Sequence, residues 1–149
     1  MIDPARAKQI LDAIRASALR GEVLRREAMS VLATLSGYDW SGIYSLEGGE
    51  LVLDAFVGEP TEHTRIAVGR GVCGVAVSEG RNQVVEDVRT LDNYLACSLS
   101  TRSEIVVLIR RDGRILGQID IDGHTAGAFD GSDEAFLEQL GALLAERWD

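Results

Sequence analysis

Near residue 120 two isoleucines alternate with two aspartates, Ile119-Asp120-Ile121-Asp122. A β-strand sends alternate side chains to one face, so Asp120 and Asp122 project together. Side by side the two carboxylates repel, and one of them holds its proton to higher pH than an isolated aspartate does. Such a pair can hold an ammonium group, supply one proton or bind a divalent metal. No further ligand stands at a telling spacing, so no metal is expected. The plainer alternative for any Asp-x-Asp is a solvent-facing sheet edge. Here the pair ends a strand just before Gly123, where a site can open. Glu104 is a second acid, at the head of the apolar run Ile105–Ile109. Alone it reads equally well as a strand end in water.

The two cysteines differ in setting. Cys73 lies in Gly-Arg-Gly-Val-Cys-Gly at the start of a short helix. Helix N-terminal amides and the nearby Arg70 favour its thiolate. Cys97 lies in the irregular stretch Tyr94-Leu95-Ala96-Cys97-Ser98, and loops are where reactive groups tend to sit. A single cysteine is more often a small buried hydrophobe. A zinc site is not expected: Cys73, Cys97, His63 and His124 are widely spread and contain no Cys-x-x-Cys pair. The glycine-rich stretch lacks the Lys-Ser/Thr ending of a phosphate loop and the full dinucleotide pattern. No Gly-x-Ser-x-Gly nucleophile elbow occurs.

The elements that must position these residues follow from periodicity. Residues 3–36 read as helix, with Ile10, Leu11, Ile14 and Ala18 on one face, Leu24, Ala28, Val31, Leu32 and Leu35 on another, and a break or bend at Gly21. The period then changes. Residues 40–46 and 50–57 read as strands around the hairpin signal Gly48-Gly49, and 65–68 as a third strand. Residues 71–79 suit a short helix and 83–85 a fourth strand; 90–101 are polar and irregular. Residues 104–109 and 114–121 are two strong strands around Asp112-Gly113. A last helix covers about 132–148, capped by Asp130 or Ser132, with Phe136, Leu140, Leu143 and Leu144 buried. Helices, hairpin-connected strands and a closing helix predict an α/β (α+β) fold. Its centre is a mostly antiparallel sheet of about six strands, flanked by N- and C-terminal helices in three layers, α/β/α.

The totals agree with one domain over residues 1–149, a helical segment 1–36 followed by sheet, pocket and C-terminal helix in 37–149. Apolar residues are 46% and charged residues 26% of the 149, the balance of a globular chain. A net charge of -9 repels phosphate backbones, so nucleic acid is not an expected partner. No apolar run approaches the roughly 20 residues that span a bilayer. Met1–Lys8 has no apolar signal core, so the expected compartment is a reducing cytoplasm in which a cycling thiol is more natural than a fixed disulfide. The apolar helix faces allow a homodimer, but burial within the monomer explains them equally well.

Taken together, six stretches resemble the free methionine-(R)-sulfoxide reductase family, a branch of the GAF domains. They are Tyr-Asp-Trp-Ser-Gly-Ile-Tyr at 38–44, Gly-Arg-Gly-Val-Cys-Gly at 69–74, Val-Glu-Asp-Val at 85–88, Leu-Ala-Cys at 95–97, Ser-Glu-Ile-Val-Val at 103–107 and Ile-Asp-Ile-Asp at 119–122. The resemblance implies that Cys97 is the attacking cysteine and Cys73 a second cysteine able to form a disulfide with it. It implies that Glu104, Asp120 and Asp122 are pocket acids, and that Trp40 and Tyr44 are the pocket's aromatic wall. It implies reduction of free methionine (R)-sulfoxide without a cofactor, with recycling by thioredoxin or a similar thiol reductant. Departures are present. His63 stands where many members have a third, resolving cysteine, Tyr94 and Ser98 flank the Leu-Ala-Cys motif in place of His and Asp, and Gly123-His124 replaces Ser-Pro. Two other readings stay open at this point: a non-catalytic GAF domain that senses a small molecule, and a cysteine redox switch.

Overall fold

The computed structural model describes residues 1–94 and 99–149; Cys97, with Leu95, Ala96 and Ser98, lies outside the described residues. The N-terminal helical segment is two helices, α1 (Pro4–Ala16) and α2 (Gly21–Leu32). Asp3 caps α1 by accepting from the Arg6 amide at 2.9 Å, and Pro4 occupies the first turn, where a missing N–H costs nothing. The break expected at Gly21 spans 17–20, and Gly21 itself starts α2 with φ +60°. Its N–H bonds the Arg147 carbonyl at 2.8 Å, and an added Cβ would lie 3.5 Å from the Asp149 backbone. The helix ends at Leu32, short of the expected residue 36.

Six strands follow: β1 (Trp40–Glu47), β2 (Glu50–Val57), β3 (Arg65–Ala67), β4 (Gln83–Val85), β5 (Ser103–Arg111) and β6 (Arg114–Gly123). They form one antiparallel sheet in the order β3-β2-β1-β6-β5-β4. Both hairpin turns place two consecutive residues at positive φ, Gly48-Gly49 at 57° and 82° and Asp112-Gly113 at 54° and 77°. That is the backbone a tight two-residue hairpin needs, and the reason these dipeptides occur there. The hairpins meet through β1 and β6, which therefore lie at the centre of the sheet.

The strand β2 carries a bulge. Ile43 of β1 pairs with Ala55 and Tyr44 with Leu53, so Asp54 is left without an opposite residue. The extra residue changes which face odd-numbered side chains take. Ala55 and Val57 pack with the helices, whereas Leu51 and Leu53 pack on the opposite face. Asp54 is ion-paired with Arg25 of α2, whose guanidinium lies 4.1 Å from the ring centroid of Trp148.

Helices α1, α2 and α4 (Gly131–Glu146) all cover one face of the sheet, meeting Ile43, Ile105, Val107, Ile109, Ile119 and Ile121. The capping residue of α4 is Asp130, which forms a reciprocal capping box with Asp133. The other face is covered by α3 (Gly71–Glu79), with Trp40, Tyr44, Leu51, Ile66, Val106 and Leu108 beneath and beside it. The three layers are therefore helices, sheet and α3, with both terminal helical segments on the same side. Among the described residues no helix is long and apolar enough to cross a membrane.

Candidate active site

Strand register assembles the acids. Trp40 of β1 pairs with Asp122 of β6, which pairs on its other side with Glu104 of β5. One step along, Gly42, Asp120 and Val106 form the next row, and Tyr44, Gln118 and Leu108 the third. Alternation puts all these side chains on the α3 face. The solvent-edge alternative for Asp-x-Asp fails, because β6 is a central strand. Glu104, Asp120 and Asp122 are 2%, 0% and 1% exposed.

The thiol of Cys73 arrives from above. Cys73 is the third residue of α3 and is buried, and its Sγ lies 3.9 Å from Glu104 Oε1, to which the thiol donates. One ligand atom each from Cys73, Glu104 and Asp120 falls within 4.8 Å of the other two. This set can close on a divalent cation, which the sequence spacing did not suggest because the thiol comes from a helix 31 positions before Glu104. A polar neighbour of Cys73 is thus a carboxyl, a contact the sequence did not foresee.

Burial, first, and then the charges of Asp120 and Asp122 push the Glu104 carboxyl well above its ordinary value; a hydrogen bond with Asp120 adds to this and the Cys73 contact opposes it. Burial and its anionic neighbours thus favour the protonated form of Glu104. Its Oε2 has no hydrogen-bond partner among the described residues. Thr101, which the sequence did not single out, donates to Asp122 Oδ2 at 3.5 Å. Three carboxyls buried this deeply beside one another favour a cation.

The aromatic wall depends on two glycines. The Trp40 indole lies flat over the sheet, and a Cβ on Gly42 would come within 2.4 Å of it, one on Gly58 within 2.6 Å. Phe56 stacks on the indole at 5.8 Å between centroids. Trp40 Nε1 donates to the Glu59 carbonyl at 2.9 Å and Tyr44 Oη to the His63 carbonyl at 2.8 Å. The polar tips of both rings thus stitch the 58–64 loop to the wall, and position 63 sits at its edge. At the far end of β6 the His124 amide donates to Asp39 Oδ2 at 2.7 Å.

Of the residues singled out from the sequence, Trp40, Tyr44, Cys73, Glu104, Asp120 and Asp122 are on one face of the sheet and in one cluster. Cys97 lies outside the described residues.

Residues 21–148 match the GAF domain family. Over 110 residues the chain is 43% identical to the free methionine-R-sulfoxide reductase of Escherichia coli (strain K12), a match covering 74% of this chain and 66% of that protein. Two solved structures superpose closely. One is a type II free methionine-R-sulfoxide reductase from Thermoplasma acidophilum, with TM-score 0.82 and 38% identity over 93% of this chain and 94% of that one. The other is the free methionine-R-sulfoxide reductase of Neisseria meningitidis in complex with its substrate, with TM-score 0.88 and 33% identity over 99% of this chain and 92% of that one. An acid-lined face on the central strands, an aromatic wall and a thiol above it thus occur in a chain whose sequence and backbone both follow these proteins. The chain belongs to the GAF domain family, in the group of the free methionine-R-sulfoxide reductases.

Proposed function

We propose that this protein reduces free methionine (R)-sulfoxide to methionine. The observation that carries this reading is the buried trio Glu104, Asp120 and Asp122 facing an aromatic wall beneath a thiol. Free methionine sulfoxide brings an ammonium, which needs anionic partners, and a sulfoxide oxygen, which needs a proton to leave. Asp120 and Asp122 hold the ammonium. Glu104, protonated, gives its proton to the departing oxygen. The Cys97 thiolate attacks the sulfoxide sulfur; the oxygen is transferred to Cys97, leaving a sulfenic acid, and methionine departs. Cys73 then attacks the sulfenic acid, forming the Cys73–Cys97 disulfide and releasing water, since His63 offers no thiol at the place of the usual third cysteine. A dithiol of the thioredoxin class in a reducing cytoplasm reopens the disulfide. The preference for the R sulfoxide follows the relatives.

Turnover of the free amino acid sulfoxide against a peptide-bound sulfoxide tests this reading. In a peptide the nitrogen is an uncharged amide and the chain continues into the Trp40–Tyr44 wall. We expect kcat/KM for the peptide to be lower by about 100-fold or more, since an unpaired buried polar site discriminates strongly. Equal activity on both, or none on the free amino acid, refutes the reading.

The ammonium assignment has its own check. Asp122→Asn removes a charged partner worth on the order of 1.5–3 kcal/mol. We expect KM for the free sulfoxide to rise by roughly 10- to 100-fold with a smaller change in kcat. An unchanged KM would remove Asp122 from the substrate site.

A further inference from the structure

Three metal-binding atoms converge on the acid face from three different elements. Glu104 and Asp120 are diagonal neighbours on β5 and β6, since Glu104 pairs with Asp122 and Val106 with Asp120. Side chains so placed on one face of a sheet are close enough to meet. Cys73 reaches this pair from α3, and its neighbour Gly74 fixes its place. A Cβ on Gly74 would lie 2.5 Å from the Ala67 carbonyl oxygen, so the helix is seated directly on the end of β3. The Gly69 N–H donates to the Gly74 carbonyl at 2.8 Å and closes that seat. The sulfur and one oxygen of each carboxyl then lie within 4.8 Å of one another, and Cys73 Sγ stands 3.9 Å from Glu104 Oε1. On one tetrahedral zinc ion, with bonds of about 2.3 and 2.0 Å, a thiolate sulfur and a carboxylate oxygen stand about 3.5 Å apart. Small side-chain movements therefore close the trio on a single ion.

Two further observations point to a bound species on this face. Glu104 is 2% exposed, and its Oε2 has no hydrogen-bond partner among the described residues. Gln118, two positions before Asp120 on the same face of β6, is 0% exposed, and neither Nε2 nor Oε1 of its amide has a partner among the described residues. Buried polar groups are ordinarily paired, and a carbonyl or carboxylate oxygen without a donor suits a cation.

We propose that Cys73, Glu104 and Asp120 form a binding site for one zinc-class divalent cation, and that the bound ion shuts the substrate site. The donor set selects the ion. A thiolate ligand favours zinc over magnesium and calcium, which take oxygen ligands. Three protein ligands leave a fourth position for water. On binding, the thiol proton and the carboxyl proton of Glu104 pass to solvent, and no electron is transferred. The ion occupies the carboxylate that Asp120 offers to an ammonium and displaces the proton that Glu104 offers to the sulfoxide oxygen. The ion site stands on its own geometry; its inhibitory effect rests on the proposed reductase reading.

The test uses the full chain carrying Cys97→Ser, reduced and metal-free, so that Cys73 is its one thiol. Cadmium, a spectroscopic substitute for zinc, is titrated while the ultraviolet thiolate-to-metal charge-transfer band is followed. We expect the band to saturate at one equivalent, zinc to displace the cadmium and magnesium to leave it in place. Adding Cys73→Ser should abolish the band. Adding Asp120→Asn or Glu104→Gln should weaken binding by about 10- to 100-fold, as the loss of one charged partner allows. Melting curves of the metal-free variants show that each is folded. Calorimetry then compares binding of free methionine sulfoxide to the metal-free and zinc-loaded chains, and binding should be lost in the second. No band, a stoichiometry other than one, or unchanged affinity in both acid variants overturns the ion site. Equal binding of the sulfoxide with and without zinc overturns the inhibition. If the sulfoxide does not bind the metal-free chain either, the reductase reading has failed and the inhibitory effect falls with it, whereas the cadmium band still decides the ion site.

Discussion

Replacing Cys97 by serine is expected to lower turnover of free methionine sulfoxide by at least about a thousandfold, because in the proposed mechanism the covalent path begins at its sulfur. A thiolate is the attacking species, and a serine hydroxyl is not ionised at neutral pH, so the variant offers no substitute nucleophile. The fold should be unaffected, since serine is nearly the same size and shape as cysteine. The partner experiment is Cys73→Ser, which retains Cys97 and should still convert one equivalent before stalling with a dithiol reductant. Turnover at the parent rate by Cys97→Ser would remove the nucleophile from this position. The substrate site formed by the acids and the aromatic wall could then act in binding without chemistry, which is the sensor reading.

Glu104→Gln should have the next largest effect, and it should move activity and stability in opposite directions. Loss of a positioned general acid costs about 10²- to 10⁴-fold in rate, and the loss should appear in kcat more than in KM. In the parent, the acid is useful only while protonated, so that component of the rate should fall as pH rises through the elevated pKa of Glu104. Stability follows from the same shift. In the unfolded chain the carboxyl loses its proton near its ordinary value of 4.5, whereas burial and the charges of Asp120 and Asp122 make the folded chain keep it to higher pH. Between the two values the unfolded state binds fewer protons than the folded one, so the parent loses stability progressively as pH rises across that window. Glutamine has no proton to lose. The variant should therefore melt at a higher temperature than the parent at pH 7–8, with the gap closing toward pH 4. A variant that is both inactive and less stable at pH 8 would mean that Glu104 serves the packing of the site and not its protonation.

These expectations draw on features that differ in how far the sequence disclosed them. The two hairpins were legible because Gly48-Gly49 and Asp112-Gly113 supply the positive φ that a two-residue turn demands at both positions. The shared face of Asp120 and Asp122 was legible from strand alternation alone. Glu104 was not, as an acid at the head of an apolar strand: only the register Glu104↔Asp122 puts it beside the pair and turns a strand end in water into a buried acid. The contact of Cys73 with Glu104 joins segments 31 positions apart, and no local pattern encodes it. The cap that Asn93 places on α3 is likewise invisible, because capping is ordinarily read from the residue just before the helix and Arg70 there does not cap. The helical segment showed its two apolar faces, but the end of α2 at Leu32 was overrun because Leu35 continues the spacing after the backbone has left the helix.

The bulge at Asp54 has a consequence for how this chain can change length over time. Because one unopposed residue reverses the facing of β2, the odd-numbered side chains Leu51 and Leu53 wall the acid face while Ala55 and Val57 line the helix face. Deleting Asp54 itself would set Leu53 beside Ala55, where plain alternation already gives them opposite faces, so the facing would survive and the loss would be the carboxylate of Arg25. Deleting Val52 instead, with the pairing of Leu53, Ala55 and Val57 held, would turn Leu51 from the acid face toward the helices. The residue count from Glu50 to Leu53 is therefore expected to be kept in lineages that keep the site, even where the identities of its residues drift, whereas the bulge residue is tied to Arg25 alone.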